Sequence, residues 1–187
     1  SRPSEPGDTP KSTVLPAEMR PSDNPCPKIG GAEAVVQTIP RRAIFPEGSR
    51  AAADEIMVSP GVFSNGHLFV TGMTGSSDDG SMPEKVDAQF RQAFGKIGTV
   101  LAAAGLDYCD IVEMTTFHVG LRDHFDAFNR IKGEFLVAPY PAWTAIEVAA
   151  LRREGAVAEI RVIASERNRH EQMASSLQPD APTTGGA

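Results

Sequence analysis

The sequence predicts a two-layer α+β domain with the element order β-β-α-β-α-β-β. Two stretches carry apolar residues at the helical period, and several shorter segments alternate apolar with polar residues as strands do. The 187 residues, 41% hydrophobic and 22% charged, suffice for one globular domain with tails. Because two amphipathic helices cover only one face of a sheet, we expect another copy of the chain to cover the other face.

The two ends of the chain lack the periodic pattern of its middle. Residues 1–40 hold 8 of the 15 prolines, and we expect them to be largely irregular, with a possible short strand at 34–39. Residues 167–187 end in a threonine- and glycine-rich stretch and are expected to form a flexible tail. The folded domain is therefore predicted to span 41–166.

The first half of the domain is predicted to hold two strands before the first helix. A strand is expected at 42–45, where Pro46 stops it, and a second at 67–71, followed by Gly72. The segment 51–59 has no clear period and is left unassigned.

The first helix has the strongest signals in the sequence. Ser81 and Glu84 have capping-box spacing, Pro83 suits a first helical turn, and Gly105 is suited to end the helix. Apolar residues form one stripe along it. This stripe comprises Val86, Phe90, Ala93, Phe94, Ile97, Val100, Leu101 and Ala104.

The second half is predicted to run strand, helix, hairpin. The β-branched and aromatic segment 111–119 predicts a strand, and Asp123 can cap a helix that buries Phe125, Phe128, Ile131 and Phe135. Segments 141–150 and 156–164 alternate at period two and are joined by a short polar stretch, which predicts a β-hairpin.

The mixed face of this hairpin is the candidate site. If Thr144 and Ile146 face the core, alternation places Trp143, Ala145 and Glu159 together on the other face, with Glu147 and Arg161 beside them. A charged and aromatic sheet face is either wet surface or the wall of a binding site.

Charge and composition narrow the classes of partner. The net charge of −6 and the lack of a Lys/Arg cluster argue against nucleic-acid binding. No apolar run approaches the ~18 residues of a membrane span, so we expect a cytoplasmic protein.

Cys26 and Cys109 form no disulfide or metal pattern, and the spacing of His118 and His124 does not suit a metal. No metal or organic cofactor is predicted.

Five motifs occur along the domain in a fixed order. They are Val70-Thr-Gly72, Ala104-Gly-Leu-x-Tyr-x-Asp-Ile-Val112, Phe128-Asn129, Pro141-Ala-x-Thr144 and Glu159-Ile-x-Val-Ile-Ala164. Their order and spacing resemble the Rid family of reactive intermediate deaminases, also called YjgF or L-PSP. The resemblance covers about 41–166 and implies a chorismate-mutase-like fold assembled as a homotrimeric barrel, with ligand clefts between subunits. It also implies hydrolysis of small imines or enamines to a carbonyl compound and ammonia.

The resemblance also maps candidate site residues onto this chain. It implies Glu159 as the catalytic residue. The implied substrate-binding residues are Gly72, Asn129, Trp143, Thr144 and Ala145. Active relatives have a carboxylate-binding arginine where this chain has Trp143, and tryptophan offers one N–H donor but no charge. Arg161 is a candidate replacement for the missing cation, and the alternative is that it only neutralises Glu159 and Glu147.

Each candidate residue has a structural alternative. Trp143 either stacks on a ligand or fills the cleft, and Glu159 either activates a water or pairs with Arg161. Asn129 either reaches the cleft or bonds to a loop, and Gly72 either permits close approach of a ligand or enables a turn.

Two functions of different classes stay open. One is a Rid-like hydrolase or deaminase acting on a carbon–nitrogen substrate, with a specificity that differs from 2-imino acid deaminases. The other is a trimeric small-molecule-binding or regulatory protein without catalysis. Ribonuclease activity, attributed to some relatives, is disfavoured by the acidic charge.

Overall fold

Helices and strands occur between residues 40 and 166, the part of the chain that the computed structural model describes. One mixed sheet and three α-helices confirm the predicted α+β class. The elements are β1 (Arg41–Ile44), α1 (Arg50–Glu55), β2 (Gly61–Ser64), β3 (His67–Thr74), α2 (Val86–Ala104), β4 (Ile111–His118), α3 (Leu121–Lys132), β5 (Ala142–Glu147) and β6 (Ala158–Ser165). The predicted tails, apart from residue 40, and the possible strand at 34–39 lie outside the described residues. The domain boundaries stay predictions.

Two short elements were absent from the predicted order, α1 in the unassigned segment and β2 ahead of β3. Strand β2 pairs antiparallel with β3 through a turn at Asn65 and Gly66, whose φ angles are 50° and 76°. A two-residue turn with both φ angles positive favours an Asn-Gly pair, because these residues enter the left-handed region most readily. The Asn-Gly pair was therefore a signal for a hairpin at this position.

The predicted hairpin of β5 and β6 is wrong. The strand order is β1-β2-β3-β6-β4-β5, so β4 lies between the two segments. β5 pairs with β4 in parallel, whereas β6 pairs with β4 antiparallel. The connection between them crosses two strand spacings, about 10 Å, instead of closing a tight turn. β5 is consequently an edge strand of this sheet.

One face of the sheet and the stripe of α2 form the core. The predicted stripe is confirmed from Phe90 to Leu101. On β6, Ala158, Ile160, Val162 and Ala164 are buried, and the residues between them face the other way. The helices α2 and α3 thus cover one face only, as the pattern predicts.

Helix starts differ from the prediction, whereas the end of α2 agrees with it. The N-cap of α2 is Lys85, with no side-chain capping bond, and Ser81 instead donates its hydroxyl to Asp79 Oδ1 at 2.6 Å. The Asp79 carboxylate also accepts from the Ser81 backbone N–H at 2.9 Å, so Ser81 belongs to a turn before α2 and not to its cap. Gly105 ends α2 with a φ of 79°, and Gly120 rather than Asp123 precedes α3.

Gln89 is a polar side chain inside the core that the sequence pattern does not reveal. It is 5% exposed, and its Nε2 donates to the carbonyls of Pro83 at 2.8 Å and Gly155 at 3.0 Å. Its Oε1 accepts from the N–H of Val157 at 3.0 Å. Through these hydrogen bonds, Gln89 links α2 to the segment before it and to the segment before β6.

Replacing Gln89 with leucine is expected to lower the free energy of unfolding by about 2 kcal/mol, because backbone groups that it satisfies would stay buried without partners. Urea denaturation measures this loss. The control is Gln92→Leu, the same change at an exposed position of α2. Equal denaturation midpoints for the two variants would contradict the role given to Gln89.

Candidate functional site

A cavity of about 520 Å³ lies beside the C-terminal half of β3, and Glu159 and Gly72 both line it. Glu159 is on β6, opposite Thr74 of β3 and Phe117 of β4. It lies on the strand face that points away from the buried residues of β6. Among residues 40–166 its carboxylate makes no hydrogen bond or ion pair. A partly buried carboxylate without a partner is available to a water or a ligand.

Gly72 is held against this carboxylate. The pairing of β3 with β6 shifts register between Val70 and Met73, so Gly72 lies in an irregular part of the strand. A Cβ built on Gly72 would overlap Oε1 of Glu159 and crowd the rest of its side chain. The φ angle of Gly72 is not in the left-handed region, so no turn requires glycine here. The missing side chain makes room for the Glu159 carboxylate.

Trp143 does not share the face of Glu159, which corrects the predicted arrangement. On β5, Trp143 pairs with Met114 of β4, which in turn pairs with Val162, and both partners are fully buried under the helices. Side chains directly opposite one another in a sheet share a face. Trp143 and, two residues on, Ala145 therefore face the helices. The prediction failed because it assigned the aliphatic residues of β5, not the aromatic one, to the core.

The Trp143 indole is partly buried and contacts side chains of α3 and β4. Its Nε1 donates to Thr116 Oγ1 at 3.0 Å. Phe125 stacks parallel to it with 5.8 Å between ring centroids, and Lys132 Nζ lies 3.5 Å from its ring centroid. Burial lowers the pKa of Lys132. A separate cavity of about 430 Å³ is lined by Trp143, Lys132 and the predicted residue Asn129.

The remaining predicted residues lie on both faces of the sheet. Thr144 pairs with Thr115, which pairs with Arg161, so these three share the face of Glu159. The ion pair that Arg161 forms is with Glu113, whose Oε2 lies 3.6 Å from its Nη1. Four of the predicted residues thus fall into two groups. Gly72 and Glu159 line one cavity, and Asn129 and Trp143 line the other.

Sequence reasoning missed the cationic residues of the Glu159 cavity. These are Lys96, Arg152 and Arg153. Lys96 Nζ donates to the hydroxyl of Ser76 at 2.8 Å, and Ser76 is 5% exposed. Burial lowers the pKa of Lys96 and Arg153 adds to this, whereas Asp78 acts in the opposite direction. The available signal was a single lysine at the margin of the apolar stripe of α2.

Within the described part of the chain, no three histidine, cysteine or acidic side chains come together as a metal site would require. No helix there is long and apolar enough to cross a bilayer.

The mixed sheet with one helical layer defines a two-layer α+β protein, and the free carboxylate beside a cavity is its candidate small-molecule site. A family model described as Endoribonuclease L-PSP matches residues 50–166, more than half of the chain. The chain belongs to this family, whose members are also called YjgF or Rid proteins. Its fold is accordingly chorismate-mutase-like, as predicted.

Two curated relatives match the chain over more than nine tenths of their own length. The RutC family protein YjgH of Escherichia coli strain K12 is 38% identical over 127 residues, which are 67% of this chain and 95% of that protein. The 2-iminobutanoate/2-iminopropanoate deaminase of Capra hircus is 29% identical over 131 residues, which are 70% of this chain and 91% of that protein.

Solved structures resemble the same part of the chain. Protein YJGH has a TM-score of 0.62 at 38% identity, covering 67% of this chain and 96% of its own. The E. coli protein TdcF, solved with bound serine, has a TM-score of 0.54 at 27% identity, covering 58% of this chain and 87% of its own.

Proposed function

We propose that the chain is a hydrolase that deaminates a small imine or enamine at the Glu159 cavity. The observation that carries this proposal is the unpaired Glu159 carboxylate, held against Gly72 at an open cavity of about 520 Å³. Relatives described as 2-iminobutanoate/2-iminopropanoate deaminases support the reaction class. Because Trp143 carries no charge, we propose a specificity different from theirs.

The proposed reaction needs one water and one group that moves protons. Glu159 accepts a proton from the water as the water oxygen bonds to the carbon of the C=N group, and it passes this proton to the nitrogen, which gives a carbinolamine with an amino group. Glu159 then accepts the proton of the carbinolamine hydroxyl and passes it to the amino group. The C–N bond breaks and ammonia leaves as the C=O bond forms. The sum is imine plus water giving a carbonyl compound plus ammonia, and no oxidant or metal is required.

We further propose that the working form is a homotrimer with ligand clefts between subunits. The sheet face that the helices leave open carries Phe69 and Ile146, which are 41% and 39% exposed. The edge strand β5 brings Trp143 to the margin of the sheet, away from the Glu159 cavity. If β5 of one copy lies beside the Glu159 cavity of the next, the divided site residues meet in one cleft.

A non-catalytic binding protein is the second candidate, and the packing of Trp143 favours it. The indole N–H is already bonded to Thr116, and the ring is in contact with Phe125 and Lys132 of α3. A tryptophan held this firmly stabilises the chain whether or not it touches a ligand. This candidate predicts tight binding of carbonyl or imine compounds without turnover.

The wild-type protein is expected to accelerate ammonia release from at least one enzymatically generated imine above the spontaneous rate. The panel contains 2-imino acids from an amino acid oxidase and uncharged imines from a flavin amine oxidase. Light scattering on the same sample is expected to give the mass of a trimer. Absence of acceleration for every imine, with binding retained, would favour the second candidate.

A further inference from the structure

The Glu159 cavity is cationic in an acidic protein. Its charged lining residues are one carboxylate, Glu159, and three cations, Lys96, Arg152 and Arg153, whereas the chain as a whole has a net charge of −6. None of the three cations forms an ion pair with any residue between 40 and 166. Elsewhere on the same domain, Arg91 and Arg130 are each paired with a carboxylate at 2.6 Å. An unpaired positive cavity attracts anionic ligands.

Lys96 is the best positioned of these cations. Its ammonium is fixed by one hydrogen bond, to the buried hydroxyl of Ser76 at 2.8 Å. An ammonium carries three N–H donors, so two remain for a ligand. The position is partly buried, where a charge-assisted hydrogen bond is stronger than at an exposed site. Arg152 and Arg153 are exposed and add positive charge to the lining of the same cavity.

We propose that Lys96, positioned by Ser76, binds an oxyanion group of the substrate and so determines specificity. The inference rests on the proposed function for the identity of the reacting group, but not for the binding of the anion. The substrate class is a small imine or enamine with a carboxylate or phosphate, and this group lies at Lys96 rather than at Trp143. Glu159 then faces the C=N carbon while Lys96 holds the other end of the molecule.

The geometry separates this site from that of Trp143. Lys96 is on α2 and lines the cavity shared with Gly72 and Glu159, whereas Trp143 and Lys132 line the second cavity. Trp143 is therefore not required to supply the charge that the usual arginine would provide. An oxyanion anchored from α2 reaches Glu159 from a different direction, so the inference predicts a changed substrate range with the same chemistry.

Binding of stable carbonyl compounds tests the inference without turnover. The probes are 4-oxopentanoate, its uncharged counterpart 2-pentanone, and inorganic phosphate, each titrated by calorimetry at constant ionic strength. Wild type is expected to bind 4-oxopentanoate or phosphate at least tenfold more tightly than 2-pentanone, and the tighter anion identifies the oxyanion. Lys96→Met is expected to lose at least tenfold in affinity for that anion, whereas Lys96→Arg retains most of it.

Two further variants separate the site from general charge effects. Lys85→Met removes the same charge from an exposed position just before α2, and its affinity for the anion is expected to match that of wild type. Ser76→Ala leaves the ammonium but removes its partner, so a smaller loss is expected, about threefold. In turnover, Lys96→Met is expected to raise KM about tenfold while kcat changes less.

Three results would overturn the inference: unchanged anion binding by Lys96→Met, equal loss in Lys85→Met, or equal affinity of wild type for 2-pentanone and the anions. Lys96-dependent anion binding without any ammonia release would reject the proposed function and leave this inference standing. Ammonia release by the wild type, together with an unchanged KM in Lys96→Met, would support the proposed function and overturn this inference.

Discussion

Glu159→Gln is expected to lower kcat for the best imine substrate by about 10²–10⁴-fold, the contribution usual for a positioned general base. Glutamine has nearly the shape of glutamate but cannot accept the proton of the attacking water. Since the carboxylate has no ion pair within residues 40–166, the change breaks no salt bridge there. The free energy of unfolding should therefore change little. Steady-state ammonia release measures the rate, and urea denaturation measures the stability.

Gly72→Ala makes this prediction sharper, because the new Cβ would overlap the Glu159 carboxylate and displace it. Each single variant should be nearly inactive, and the double variant should be no worse than either alone, since both remove the same group from its position. Glu166→Gln, an exposed carboxylate just after β6, is the matched control. A Glu159→Gln variant that keeps more than half of the wild-type rate would contradict the assignment.

The local pattern predicted the helices and the core better than it predicted strand pairing. The apolar stripe of α2 and the buried positions of β6 follow from periodicity within one element. Pairing depends on contacts between distant segments, and alternation at period two cannot show which strand is the neighbour. For β5 the neighbour is β4, because the parallel partner offers the buried Met114 and Thr116 to Trp143 and Ala145.

The same distinction explains which part of the candidate site could be predicted. Gly72 and Glu159 adjoin because β3 and β6 are neighbours, and their meeting agrees with the grouping that the family resemblance implies. The face of Trp143 was inferred from alternation, with the aliphatic side of the strand assigned to the core, yet an indole with one hydrogen-bond partner is stable in a core. Lys96 was missed because its importance depends on Ser76, 20 residues away in sequence.

His118 is a buried titratable group that the proposed reaction does not use. It is fully buried at the end of β4, with its ring edge-on to Phe128 at 4.8 Å. Neither ring nitrogen has a hydrogen-bond partner among the described residues. Burial lowers the pKa of His118 to about 4, and the nearby His124 adds to this effect. The folded state therefore holds His118 neutral across a pH range in which the unfolded chain binds a proton.

This difference makes the stability of the domain pH-dependent in a predictable direction. With a pKa of about 4 in the folded state and an ordinary value near 6.5, the contribution is complete above pH 6.5 and is lost as the pH falls to 4. The loss amounts to about 3 kcal/mol, since each pKa unit corresponds to about 1.4 kcal/mol.

His118→Leu should keep or raise the stability at pH 7.5, because it removes two unpaired buried nitrogens. It should also flatten the decline between pH 6.5 and 4. Urea denaturation at a series of pH values measures both effects, with His67→Leu, an exposed position, as the control. Parallel stability curves for wild type and His118→Leu over that range would show that His118 is not the group that titrates, and would move the assignment to the carboxylates.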